Sequence, residues 1–273
     1  MSDKAHNGIV AVVGGTGTLG REVASVLAAR GRTVRIVSRS APSSSQGSSR
    51  ASSQTPSRGT WLEHRVADLL TGQGLDEALD GVGSVVDTIN AGRGASHVLV
   101  DGTRRLLDAE ARAGVQHHVG ISIVGCDRVN MSYYRVKTMQ EGIVQSGGVP
   151  WSLLRATQFH TLIESLFRAA SRAYMRPTGR FLFQPVDPRE VAERLSDAVD
   201  SGPSARLPDI GGPRIQSLTE LGDLWRESRR RHLLPVRLGI PGALGGLLRD
   251  GALCAGADAG AGIGFAEWLN AND

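Results

Sequence analysis

Seven residues near the N-terminus, Gly14, Gly15, Thr16, Gly17, Thr18, Leu19 and Gly20, constrain the fold of this chain more than any others. They follow the apolar, β-branched run Ile9, Val10, Ala11, Val12, Val13 and precede residues 21–30, where Leu19, Val23, Val26 and Leu27 recur at helical spacing. The glycines therefore fall in a strand-to-helix turn, the context in which such a pattern means more than an ordinary bend. A glycine early in the turn can take positive φ, a middle one lets backbone approach a pyrophosphate, and Gly20 lets helix and strand pack closely. The new helix then points free N–H groups and a partial positive charge at the phosphates. Gly14, Thr16, Gly17, Thr18, Leu19 and Gly20 are thus expected to cradle a dinucleotide.

Strand and helix signals alternate from residue 9 to about residue 155, which predicts an α/β fold, a doubly wound parallel sheet of Rossmann type. Residues 33–37, 61–66, 84–88, 117–123 and 150–155 read as further strands. Aromatic residues are 4% of the chain, so the core must rest on Val, Leu, Ile and Ala. The length of 273 residues suits one large α/β domain, or one with a small appendage, and the expected division is a dinucleotide-binding core over 1–155 and a further part over 156–273 packed on that core. Residues 40–59 are dominated by Ser and read as a flexible insertion that need not pack.

The second strand ends at Ser38, Arg39 and Ser40, where a ribose-reading residue is expected. An acidic side chain there would accept from a 2′-hydroxyl; Arg39 would instead fork onto a 2′-phosphate. This predicts NADPH in preference to NADH, the alternative being a solvated loop charge. Asp68, followed by Leu69, is placed either to accept from an adenine amino group or to hold a turn. The small residues of Asn90, Ala91 and Gly92 leave room beside a cofactor.

Tyr133 and Lys137 lie four apart on a predicted helix and share a face, and Ser122 precedes them at the end of a strand. Carbonyl reduction needs such a set. Tyr133 gives a proton, Ser122 polarises the carbonyl oxygen, and the Lys137 ammonium favours the phenolate. Tyr134, three residues before Lys137, competes for the proton-donor role, but the four-residue spacing selects Tyr133.

With Gly14 to Gly20, Ser38 and Arg39, Asp68, Asn90 to Gly92, Ser122, Tyr133 with Lys137, and the run Leu154, Arg155, Ala156, Thr157, Gln158, Phe159, the chain resembles an atypical short-chain dehydrogenase/reductase of the NAD(P)H-binding, NmrA-like, actinobacterial type. The resemblance covers nearly the whole chain. It implies a Rossmann core and a small C-terminal substrate-binding part, with Asn90, Ala91 and Gly92 lining the cofactor and Thr157, Gln158 and Phe159 approaching nicotinamide or substrate. Ile89 stands where the short-chain enzymes carry a second Asn before Asn-Ala-Gly, a departure that touches the role of that motif.

The expected activity is NADPH-dependent reduction of a carbonyl, enone or quinone on a small, largely apolar molecule, such as a secondary metabolite of polyketide type. Redox-neutral chemistry on the same scaffold (epimerisation, isomerisation, dehydration or coupling) and a non-catalytic NADP(H) sensor are the alternatives. The net charge of +4 comes with no basic stripe interleaved with aromatics, so nucleic acid is not an expected partner. No metal-ligand spacing links Cys126 and Cys254, no apolar signal core opens the chain, and no apolar run is long enough for a membrane span. These features predict a reduced, cytoplasmic monomer or homodimer. Residues 94–113 are expected to form a long helix, 159–174 an apolar helix walling the pocket, 187–190 and 217–220 to start helices through capping boxes, 205–210 to form a seventh strand, and 226–237 to be a solvated, Arg-rich helix face, the alternative being a contact with an anionic partner or the cofactor phosphate. The tail from 241 to 273 has little periodicity.

Overall fold

A computed structural model describes residues 8–40, 62–91, 94 and 96–272. Most of the Ser-rich stretch, as well as Gly92, lies outside these residues. The alternation read from the sequence gives β1 (Ile9–Val13), α1 (Thr18–Ala29), β2 (Val34–Ser38), β3 (Leu62–Val66), α2 (Leu75–Leu79), β4 (Val82–Asp87), α3 (Gly102–Ala113), β5 (His117–Ile123), α4 (Ser132–Ser146), β6 (Trp151–Ala156) and α5 (His160–Ser171). A π-helical turn, His97–Asp101, leads into α3, so the long helix expected from residue 94 starts less regularly than its spacing implies.

Further along the chain come β7 (Met175–Thr178), β8 (Leu182–Phe183), α6 (Pro188–Ser201), β9 (Ala205–Arg206), β10 (Gln216–Ser217), α7 (Leu218–Ser228), β11 (Leu234–Arg237), α8 (Gly242–Arg249) and α9 (Phe265–Ala271). The described residues hold a seven-stranded sheet in the order β3-β2-β1-β4-β5-β6-β9. Val12 pairs in parallel with Ile36 on one side and Val86 on the other. The order reverses direction between β1 and β4, as in doubly wound dinucleotide-binding sheets. The expected seventh strand is real but only two residues long, with Ala205 opposite Ser152.

The chain divides into two compact units. The first takes the described residues up to 121 together with 139–153 and 192–206. Its core joins Val13, Val37, Leu79, Val85, Leu106, Val115 and Leu153, an aliphatic set with no aromatic ring among its fully buried members. Inside the same unit lies a polar knot. The His118 Nδ1 is 2.9 Å from Glu110 Oε1, and both side chains are fully buried. Nearby, the Gln140 amide donates to Asp87 Oδ2 at 3.3 Å and to Thr103 Oγ1 at 3.1 Å. Burial pushes Glu110 upward; burial alone would lower His118, but the facing Glu110 carboxylate outweighs it and raises His118. Removing one partner leaves the other buried and uncompensated. Glu110→Ala is therefore expected to lower stability by about 3 kcal/mol, read from the urea midpoint. A loss below about 1 kcal/mol would show that the knot matters little.

The second unit takes 122–138, 154–191 and the described residues from 207 onward. Its core is aromatic: Phe167, Phe181, Trp225, Phe265 and Trp268 pack with Leu218, Leu221, Leu248 and Leu269. Three sequence expectations change here. The helix over 159–174 ends at Ser171, and Tyr174 takes φ +55, which no helix continues. Its apolar face is only partly buried, with Ile163 and Phe167 in the core and Leu162 exposed. The Arg-rich stretch is not one helix: α7 stops at Ser228, and residues 234–237 form a strand parallel to β7. The tail supplies α8 and α9, both of which pack into the core. At 217–220 the expected box forms, with Ser217 Oγ accepting from the Glu220 N–H and the Glu220 carboxylate accepting from the Ser217 N–H. At α6, Asp187 Oδ1 accepts from the Arg189 N–H at 2.9 Å, with Pro188 in the first turn. Among the described residues no helix is long and apolar enough to cross a membrane.

Candidate functional site

In the first unit, β1 runs straight into the glycine turn. Gly14 has φ +79 and donates its N–H to the Val37 carbonyl at 2.9 Å. The Gly17 N–H closes back onto the Gly14 carbonyl, also at 2.9 Å. A Cβ on Gly15 would sit 2.8 Å from Ile36 Cγ2, and one on Gly20 would sit 2.4 Å from the Gly14 oxygen and 2.6 Å from Gly15 Cα. Glycine at these positions brings α1 flush against the end of β1. The turn itself is open, with Thr16, Gly17 and Thr18 exposed. Gly17 caps α1 with no side-chain hydrogen bond, and no acidic residue occupies the first turn. The terminal N–H groups of a 12-residue helix are thus left for an anion, at the edge where the strand order reverses. A diphosphate suits this cradle, which a Cβ on Gly15 or Gly20 would distort.

At the end of β2, Ser38 Oγ donates to the Ser40 carbonyl at 2.8 Å and lies 2.8 Å from His64 Nε2. With the hydroxyl proton committed to Ser40, His64 must donate from a protonated Nε2. Partial burial lowers the His64 pKa and favours the neutral ring. His64 was not singled out in the sequence, because only the β2–β3 register, with Ile36 opposite His64, brings it there. Arg39 and Ser40 are exposed, and Arg39 has no carboxylate within ion-pair distance among the described residues. Asp68 has the geometry of a turn: its Oδ1 accepts from Leu70 N–H at 2.8 Å, and its carbonyl accepts from Gly72 N–H at 2.7 Å. Leu69 is a core side chain. After β4, Thr88 Oγ1 donates to the Val13 carbonyl at 2.8 Å, tying β4 to the start of the turn. Asn90 Oδ1 accepts from Ala91 N–H at 2.9 Å, while Ile89 packs on the core where a second Asn would have been polar.

In the second unit, Ser122 lies near the end of β5 and is 3% exposed, its Oγ 3.8 Å from Cys126 Sγ. The turn that follows is joined to α4 by Thr138, whose hydroxyl donates to the Cys126 carbonyl at 3.0 Å. Thr138 was another silent position: a hydroxyl one residue past Lys137 carries no sequence signal for this bond. On α4, Tyr133 is half-buried and Lys137 is only 3% exposed. Tyr134 packs against the aromatic core, and burial raises its phenol pKa. The two adjacent tyrosines therefore differ in environment, although their rings lie 6.1 Å apart.

The 157–159 segment is heavily committed to its own unit. Thr157 Oγ1 donates to the Gln184 carbonyl. The Gln158 amide donates to the Leu253 carbonyl at 3.0 Å and accepts from the Gln184 N–H at 3.3 Å. Phe159 is half-buried at the start of α5.

Strand order, glycine turn and uncapped helix together define a protein of the Rossmann-type, dinucleotide-binding fold class. The chain belongs to the NmrA-like family, whose model matches residues 6–205. A reductase of (4-alkanoyl-5-oxo-2,5-dihydrofuran-3-yl)methyl phosphate from Streptomyces griseus subsp. griseus is 28% identical over 217 residues, 78% of this chain and 71% of that protein. Among solved structures, an NADPH-dependent quinone oxidoreductase from Escherichia coli, complexed with NADPH, superposes with a TM-score of 0.72 at 16% identity, covering 96% of this chain and 99% of that one. A UDP-N-acetylglucosamine 4-epimerase from Bacillus cereus gives 0.68 at 19% identity, over 96% and 94%. At these identities the structures are alike in fold.

Proposed function

We propose that this chain is an NADPH-dependent oxidoreductase that reduces a carbonyl, enone or quinone of a small, largely apolar molecule. The observation that carries the reading is the open glycine turn, with its acid-free helix terminus, beside a second strand that ends in Ser-Arg-Ser rather than in a carboxylate. The reductase from Streptomyces and the NADPH-binding quinone oxidoreductase support the class of reaction. A bound reduced nicotinamide would supply the hydride. Tyr133 donates the proton to the substrate oxygen, Ser122 donates a hydrogen bond to it, and Lys137 stabilises the tyrosinate left behind. Burial against the aromatic core raises the Tyr134 phenol pKa, which counts against it as the proton donor. Phe159 contributes apolar surface to the substrate, while Thr157 and Gln158 hold the segment in shape.

The NADPH assignment rests on Arg39. A guanidinium–phosphate contact contributes about 1.5–3 kcal/mol, and a carboxylate in its place adds repulsion. Arg39→Glu is expected to weaken NADPH binding on the order of 100-fold and to leave NADH binding within a few-fold. Equal losses for both nucleotides in a titration would remove Arg39 from 2′-phosphate recognition. Epimerase-type neighbours share the fold, so a redox-neutral reaction is the competing reading. Substrate conversion without net NADPH consumption would establish it.

A further inference from the structure

The second unit holds a cleft of about 290 Å3 that the oxidoreductase reading does not use. Three arginines from separate elements line it: Arg180 in the turn after β7, Arg237 at the end of β11, and Arg249 at the end of α8. The parallel pairing of β7 with β11 sets Thr178 opposite Arg237, and the Leu238 N–H donates to the Thr178 carbonyl at 2.8 Å. That pairing places the Arg180 turn beside Arg237. Gly179 keeps the turn close, since a Cβ there would already be 3.3 Å from the Phe181 ring and 3.5 Å from the Leu238 carbonyl.

No carboxylate lines the cleft. Among the described residues none of the three arginines has a carboxylate within ion-pair distance, whereas Arg30, Arg155, Arg176 and Arg229 are all paired. Three like charges on one concave wall repel each other unless an anion sits between them. A second feature points the same way. Ile240 and Pro241, also in the lining, lead into α8, an eight-residue helix with no side-chain cap and no acidic residue in its first turn. Arg249 folds back along this helix, its Nη1 lying 3.2 Å from the position a Cβ on Gly245 would take. Three guanidinium groups on one small cleft, beside the start of α8, are the charged donors that a tetrahedral oxyanion demands.

We infer that this cleft binds the phosphate group of a small non-nucleotide molecule. The dinucleotide's own phosphates are already provided for at the glycine turn of the first unit, and the inference does not depend on the proposed reductase activity. The test is calorimetric titration of the full chain with inorganic phosphate in chloride buffer, for the wild type and for the triple variant R180A/R237A/R249A. All three side chains are exposed, so the fold should survive their loss, and the thermal melt checks that it does. The single variant R180A serves if the triple variant does not fold. The inference expects saturable binding by the wild type, weakened at least tenfold in the triple variant and severalfold in R180A, with NADPH affinity unchanged. Equal binding by wild type and variants, or no saturable binding at all, overturns it. A parallel loss of NADPH affinity also overturns it, by assigning the cleft to the cofactor's phosphate.

Discussion

Tyr133→Phe should lower turnover by about 10²–10⁴-fold while leaving NADPH affinity within a factor of two. The variant removes one hydroxyl and keeps the ring, so packing against its neighbours is retained. A free tyrosine has a pKa near ~10, too high for a proton shuttle at neutral pH, and bringing it down by ~3 units requires ~4 kcal/mol of differential stabilisation. The proposed mechanism assigns part of this to Lys137, four residues on and only 3% exposed. Tyr134→Phe is the control. Tyr134 belongs to the aromatic core and its phenol is pushed up by burial, so its loss should cost stability rather than turnover. If Tyr134→Phe abolished activity and Tyr133→Phe did not, the roles would be reversed. If neither changed turnover, the hydroxyl chemistry would lie elsewhere.

Gly20→Ala should have an equally large effect on a different readout. The added methyl would lie 2.4 Å from the Gly14 carbonyl oxygen, 2.6 Å from Gly15 Cα and 2.8 Å from Thr88 Oγ1. Two of these three are backbone atoms of the turn itself, so no side chain can swing away to relieve the clash. Either α1 lifts off the sheet or the turn opens, and both displace the N–H groups offered to a diphosphate. The expected outcome is a loss of about 2–3 kcal/mol in stability and at least ~100-fold in NADPH affinity. Gly142→Ala is the matched control, since a Cβ there meets nothing within 4 Å and the position lies inside α4. That substitution should stabilise slightly, by roughly 0.5–1 kcal/mol. Unchanged nucleotide affinity in Gly20→Ala would mean that the turn is only a bend in the fold.

The parts of the structure legible in the sequence are those that local chemistry dictates. Strands β1, β2, β4, β5 and β6 lie in a buried parallel sheet, which favours apolar side chains, and the glycine turn is legible because its glycines fall between an apolar strand and an amphipathic helix, although Ile36 and Thr88, far along the chain, supply part of the steric demand on them. The capping box at Ser217 and Glu220 is local in the same way. What stayed hidden depends on partners far along the chain. Strand β11 pairs with β7 some sixty residues earlier and is four residues long, so its Arg-rich surroundings read as a helix face instead. The two tail helices hold eight and seven residues, too short for their periodicity to stand out among glycines, although Phe265, Trp268 and Leu269 have the right spacing. Polar partners set by register were equally silent: His64 beside Ser38, Thr138 on the Cys126 carbonyl, and Gln140 between Asp87 and Thr103. At the candidate site, residue types and chain order were legible. The burial of Lys137 and the contrast between Tyr133 and Tyr134 were not, because both depend on what packs around α4.

Calorimetric titration of the purified chain with NADPH and with NADH tests the central claim most directly. The claim predicts one saturable site for NADPH, NADH at least tenfold weaker, and loss of that preference in Arg39→Glu. Saturable binding of neither nucleotide would contradict it, leaving the glycine turn as a packing device of the fold.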